Sequence, residues 1–317
     1  TIAFSQGEPS CSSDLSVLPT VDLRRIRPQA LRDLLFFSCL FFTLFKNKAH
    51  FDIVHVHGDW SGFFLARLIA TIVKADKVIG SLHDVAREGA WWKSVYRFTT
   101  KNYSFLYTTG AQDASLLSSF CKVPVYWQHS GIDTDMFKKD EHVDKVFDVA
   151  CVGSFVHKKN YELVVKIARL VPEYKFVLVG DGPLRPHIEY LCQQSNLENV
   201  TFAGELSRED VASVLQKSRL FLLTSFKEGT PTVVLEAMAC GLPVVISRSN
   251  NYEDLIESDK NGYVIENFCP EPYADKIKSL LNDQRKLKEF SSVNSNQAKS
   301  YGWPHVARKI TNLLIQK

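Results

Sequence analysis

A chain of 317 residues has room for about two domains of ordinary size. With 45% hydrophobic and 23% charged residues it has the balance of an ordinary globular protein that can bury a sizeable core. A formal net charge of +3 points to no particular partner, and no long basic tract with interleaved aromatics is present, so nucleic acid is not an expected partner.

The seven cysteines (Cys11, Cys39, Cys121, Cys151, Cys192, Cys240 and Cys269) are odd in number, widely scattered and never spaced as C-x-x-C. That usage predicts reduced, mostly buried thiols in a cytoplasmic protein and no zinc knuckle. The chain opens on Thr1 with no signal-like segment after it. The apolar run from Leu34 to Phe45 is well short of the ~20 residues that span a bilayer. Two readings of it stay open. One is a buried helix packed on a sheet. The other is a helix that also touches the inner membrane surface, because Arg24, Arg25, Arg27 and Arg32 precede the run and Lys46 and Lys48 follow it. Trp91, Trp92, Lys93, Tyr96 and Arg97 supply a second group of rings and cations for such a surface.

Short apolar runs alternate with helical patterns along the chain, which predicts parallel sheets wrapped by helices. Strands are expected at 52–58, 77–83 and 105–108, and a short edge strand at 123–127, where Pro124 cannot donate to a ladder. The polar stretch from Lys138 to Lys145 interrupts this pattern and suggests domains over 1–140 and 141–317. Strands follow at 147–153, 175–180, 200–204, 220–223 and 243–246. A helix starts near Tyr161, and another follows the Gly180-Asp181-Gly182-Pro183 turn. Ser207 with Asp210 resembles a capping box, Gly241 ends the helix before the last of these strands, and 303–315 has helical spacing.

The segment from Glu228 to Pro243 carries the chemistry. It follows a strand and opens a helix, so the helix start lies at the carboxyl end of a parallel sheet, where open sheets bind ligands. The free N–H groups of Thr232 and Val233 and the helix dipole would favour an anion such as a diphosphate. Glu236 sits in the first turns of an otherwise apolar helix and needs hydrogen-bond partners, which sugar hydroxyls would supply. Glu228 precedes the helix in the loop. Taken singly, Glu236 could serve only the helix dipole and Glu228 could be a solvated loop residue. Their joint setting among glycines and prolines favours one site.

Glu228 and Glu236, followed by Ala-Met-Ala-Cys-Gly-Leu-Pro, resemble the E-x7-E signature of retaining GT-B glycosyltransferases of family 4. Gly180-Asp181-Gly182-Pro183, Phe202-Ala203-Gly204, Gly262-Tyr263-Val264 and Trp303 fall in the family's order. In the first half, Val54-His55-Val56-His57, Leu82-His83-Asp84 and Gly131-Ile132-Asp133 with Phe137 also match. The resemblance implies two Rossmann-like domains facing across a cleft, with the C-terminal helix folding back toward the first. It implies transfer of a sugar from a UDP- or GDP-sugar to a saccharide or lipid-linked acceptor hydroxyl, with retention by front-face displacement, in cell-envelope polysaccharide or glycolipid synthesis. It assigns Glu236 to the ribose hydroxyls, Glu228 to the transferred sugar, and the backbone from Gly229 through Thr230, Pro231 and Thr232 to Val233 to the sugar and diphosphate. Lys159 matches the cation for the leaving diphosphate, and His83 a histidine that reaches the transferred sugar. Gly180 and Gly182 leave room for backbone to approach the nucleotide, and Gly153 and Ser154 join the donor-binding set.

Two departures stand out. Ser154 replaces an arginine that the family usually carries, and no glycine-rich loop opens the chain, which suggests a first domain truncated or reduced at its N-terminus. Asp133-Thr134-Asp135 spells a metal-binding D-x-D, but it lies in the stretch leading out of the first domain. The resemblance implies no metal and no cofactor. The alternatives are a non-catalytic nucleotide-binding remnant and a sugar-nucleotide epimerase or phosphorylase of related fold.

Overall fold

The computed structural model describes residues 2–3, 16–17, 51–57, 60–82, 89–228, 231–248 and 253–315. They fall into two compact units, Thr1–Thr108 with Ala114–Trp127, and Thr109–Asp113 with Gln128–Lys317.

In the first unit, β1 (Ile2–Ala3) and β2 (Ser16–Val17) form a parallel pair. A second sheet holds β3 (Ile53–His57), β4 (Lys77–Leu82), β5 (Phe105–Thr108) and β6 (Val125–Trp127), all parallel and in chain order. Its helices include α1 (Trp60–Ile72) and α2 (Ala90–Thr99), and α3 (Ala111–Ser118) follows β5. Phe63, Leu82, Tyr96, Leu106 and Leu117 fill its core. The strand ending in Trp127 is at the sheet edge, as Pro124 predicts, and the Pro124 carbonyl accepts from Leu106 N–H at 2.9 Å.

The second unit is built on six parallel strands: β7 (Phe147–Val152), β8 (Phe176–Val179), β9 (Val200–Gly204), β10 (Ser218–Leu223), β11 (Val244–Ser247) and β12 (Gly262–Ile265). Their order is β12-β11-β10-β7-β8-β9. The chain therefore winds outward from β7 to β9, crosses back, and winds the other way from β10. The reversal lies between β7 and β10, whose carboxyl ends share one crevice. The central strands are nearly continuous apolar runs because both faces are covered. Alternate residues supply two cores: Val149, Cys151, Leu178 and Leu222 on one side, and Ala150, Val177, Phe221 and Ile246 on the other.

The covering helices are α4 (Tyr161–Leu170), α5 (Arg185–Gln194), α6 (Arg208–Gln216), α7 (Thr232–Ala239), α8 (Pro270–Leu281), α9 (Gln284–Ala298) and α10 (Trp303–Ile315). Ser207 caps α6: its Oγ accepts from Asp210 N–H at 3.1 Å and donates to the Asp210 carboxylate at 2.8 Å. At the end of α7, Gly241 N–H donates to Met238 O and Leu242 N–H to Ala237 O, a Schellman pair that needs the positive φ of 76° at Gly241.

The turn after α7 is fastened from α9. Asn294 is fully buried, and its Nδ2 donates to Leu242 O at 2.7 Å and Asn261 O at 2.8 Å. Asn294→Leu would leave two buried carbonyls without this donor. We expect a loss of about 2 kcal/mol or more, read as a lowered Tm in thermal unfolding. An unchanged Tm would show that α7 does not depend on this fastening.

Candidate functional site

Two strand-end loops at the sheet's reversal point build the site. The 3-10 turn His157–Lys159 follows β7, and Asn160 then takes a left-handed conformation to open α4. This turn is stitched to the segment after β10. Thr224 Oγ1 donates to Lys159 O and Asn160 O, both at 3.1 Å, and Phe226 N–H donates to Lys158 O at 2.8 Å. The stitching brings Lys159 Nζ to 2.6 Å from Glu228 Oε1, and Ser225 Oγ donates to the same oxygen at 2.6 Å. Glu228 is only 4% exposed. A buried ion pair costs so much desolvation that it is weak evidence for stability and calls for another explanation.

The pair lines a cavity of about 320 Å³. Its floor is Val152, Gly153 and Ser154 from the end of β7. Pro231, Thr232 and Val233 bring in the start of α7, whose first N–H groups lack partners within the helix. At the far side stand Glu236, Arg208 and Phe137. Arg208 Nη2 lies 3.5 Å from Glu236 Oε1, and its guanidinium carbon is 5.7 Å from the Phe137 ring centroid. Burial pushes the Glu236 carboxyl above the usual range, and the charge and hydrogen bond of Arg208 oppose that rise. The cavity thus holds two cation–carboxylate pairs and the positive end of a helix, which suits a ligand with an anionic centre and hydroxyl groups.

Residues 133–297 match the family described as Glycosyl transferases group 1. The chain belongs to that family. It is 28% identical over 310 residues to the UDP-Gal:alpha-D-GlcNAc-diphosphoundecaprenol alpha-1,3-galactosyltransferase of Escherichia coli, covering 86% of this chain and 78% of that protein. It is 28% identical over 152 residues to an uncharacterized glycosyltransferase of Methanocaldococcus jannaschii, covering 48% of this chain and 43% of the relative. Several curated relatives are matched over less than two thirds of their own length. Sucrose-phosphate synthase from Thermosynechococcus elongatus has the same fold, with a TM-score of 0.78 at 19% identity over 91% of this chain and 79% of that one. The fold is of the GT-B type.

Within this group 1 chain, Gly153, Ser154, Lys159, Glu228, Pro231, Thr232, Val233 and Glu236 all line the one cavity. Gly229, Thr230 and His83 lie outside the described residues. Gly180 and Gly182 do not line it. Added Cβ atoms would lie 2.2 Å from Gly153 O and 2.7 Å from Phe155 O, so the close approach there is by the chain's own backbone. Asp133 of the D-x-D serves a turn, since its Oδ1 accepts from Asp135 N–H at 3.0 Å and Met136 N–H at 3.1 Å. Among the described residues no three His, Cys, Asp or Glu side chains come together as a metal cage.

Arg208 and Ser225 had no role in the sequence reading. Ser225 could have been suspected from its place three residues before Glu228, whereas nothing marks an arginine at a helix start as facing a carboxylate 28 residues on. Of the cysteines, Cys121, Cys151, Cys192 and Cys240 are buried free thiols and Cys269 is exposed, while Cys11 and Cys39 lie outside the described residues. The run Leu34–Phe45 also lies outside them. Of the second group proposed for a membrane surface, Tyr96 is buried in the first unit's core, Arg97 Nε donates to Phe120 O, and Trp91 is 64% exposed. No described helix is long and apolar enough to cross a membrane.

Proposed function

We propose that this chain transfers a sugar from a nucleoside-diphosphate sugar to an acceptor hydroxyl, with retention at the anomeric carbon. The observation that carries the reading is the cavity at the sheet's reversal point, where Lys159–Glu228 and Glu236 flank the start of α7. Glu236 takes the ribose hydroxyls, Glu228 takes hydroxyls of the transferred sugar, and the diphosphate lies between them against the first N–H groups of α7. As the bond from the sugar to the diphosphate breaks, negative charge grows on the leaving oxygen. Lys159 and the helix start stabilise that charge where it develops. The departing phosphate takes the acceptor proton while the acceptor oxygen bonds to the sugar on the same face. Glu228 is already engaged by Lys159 and Ser225, which suits a hydroxyl ligand better than an attacking group.

The name of the Escherichia coli relative supports UDP as the donor nucleotide, and that name together with one from Campylobacter jejuni supports a lipid-linked saccharide as the acceptor class. A thermal-shift panel of UDP, GDP, ADP and their sugars identifies the donor. Glu236→Ala is expected to weaken binding of the nucleotide so identified by about tenfold or more, the worth of hydrogen bonds to a charged group. Unchanged affinity, measured by calorimetry, would remove Glu236 from the site. The anomeric configuration of the product, read by NMR, tests retention.

The site works without a metal in this reading, because Lys159 and the α7 start supply the positive charge. Sugar transfer is expected to persist in EDTA at close to its full rate. Loss on chelation with recovery in manganese would overturn that view.

A further inference from the structure

Arg208 is poorly explained by the stability of the fold. It is the first residue of α6, directly after the Ser207 cap, where the positive end of the helix dipole disfavours a cation. Glu209 and Asp210 beside it are the residues that suit this position. Its ion pair with Glu236 has one well-exposed member, with the Arg208 side chain 59% and the Glu236 side chain 13% exposed, and pairs of this kind stabilise a fold little. Yet its guanidinium is not loose. It rests over Phe137, a residue 1% exposed and fixed by the turn that Asp133 caps. The ring and the cap together hold the cation on the rim of the cavity against one oxygen of Glu236.

We propose that Arg208 is a positioning residue of the nucleotide site: braced over Phe137, it holds the Glu236 carboxylate toward the hydroxyls of a ribonucleoside and so sets a preference for ribonucleotides over deoxyribonucleotides. The inference rests on the reading of this cavity as a nucleotide site. Its chemistry follows from the two states of a carboxyl group. The ionised form accepts from two sugar hydroxyls, while the protonated form spends one oxygen as a donor. Burial favours the protonated form of Glu236, and Arg208 is the group that opposes it. Arg208 engages Oε1 from the cavity rim, so one oxygen of the carboxylate is held in place, and the hydroxyls meet an acceptor that is already oriented. Sugars without these hydroxyls gain nothing from either property.

The test is calorimetric titration of the wild type, Arg208→Gln and Glu236→Ala with UDP and GDP and with the 2′,3′-dideoxy form of whichever binds. The exposure of Arg208 leaves the fold of R208Q intact, and its Tm checks this. R208Q is expected to bind the ribonucleotide about fivefold more weakly. It should bind the dideoxy form as the wild type does. Equal affinity of R208Q and wild type for the ribonucleotide overturns the inference. An equal loss for the ribo and dideoxy forms also overturns it, because the arginine then acts on the nucleotide by another route. The control separates the two levels of the argument. Weak binding by E236A with an unaffected R208Q removes only the role of Arg208. Wild type that binds neither nucleotide, or E236A that binds as tightly as wild type, removes the nucleotide site and this inference with it.

Discussion

Lys159→Met is expected to lower kcat for sugar transfer by about 10²–10³-fold, the usual loss when one preorganised group is removed from a developing charge. Lys159 reaches the cavity from a turn held at three backbone carbonyls by Thr224 and Phe226, so its position does not depend on the ligand. Preorganisation is what makes such a cation effective, since no reorganisation is needed as the bond breaks. The variant also leaves Glu228 in a nearly buried place with its cation gone. Removal of one member of a buried pair costs about 3–5 kcal/mol, and less here because the pair opens on a cavity. The double variant Lys159→Met/Glu228→Gln separates the two effects. It should recover most of the lost Tm and none of the lost kcat. A single variant with kcat within a few-fold of wild type would show that the leaving group's charge is met elsewhere.

Gly180→Ala is expected to destabilise the second unit by about 3 kcal/mol or more and to abolish donor binding in the same step. Gly180 has φ of 127°, a conformation that side chains rarely adopt. An added Cβ would lie 2.2 Å from Gly153 O, which cannot yield cheaply because it belongs to the backbone. The chain ends of β7, β8 and β9 are zipped together at this point. Gly153 N–H donates to Val179 O, Gly180 N–H to Gly204 O, Phe155 N–H to Asp181 O, and Leu184 N–H to Phe155 O. Gly153 also lies against the Lys159 side chain, and its carbonyl accepts from Tyr161 at 2.8 Å. A methyl at residue 180 pushes this whole corner and carries Lys159 with it. Thermal unfolding and nucleotide titration of the single variant check both parts. A stable G180A that loses only nucleotide affinity would mean that Gly180 faces the ligand instead of Gly153.

The sequence by itself determined five of the six strands of the second unit and several of its helices. Apolar runs such as Phe176–Val179 and Val244-Val245-Ile246 are legible because a sheet covered on both faces has no polar side to alternate. Ser207 and Gly241 were legible because capping is local: each side chain or φ angle serves its own helix end. The 15-residue helix at Gln284–Ala298, the strand at Gly262–Ile265 and the helix at Pro270–Leu281 were not expected as elements; the last two have a local reason. One is a four-residue edge strand that opens on glycine. The other begins with a proline that reads as a breaker, although a helix tolerates proline in its first turn.

The site divides along the same line. Glu228, Glu236 and the start of α7 were visible because a strand, a loop and a helix follow one another in the chain. Only the tertiary structure decided what those carboxylates meet. The Lys159–Glu228 pair spans 69 residues, and the Arg208–Glu236 pair joins two helices separated by a strand. Gly180 and Gly182 show the same limit from the other side. Their spacing announces a close backbone approach, but which backbone approaches depends on the parallel pairing of β7 with β8. Local hydrogen bonding and burial are written in short windows of sequence. The choice of a partner across the sheet is set by strand order, which the windows do not contain.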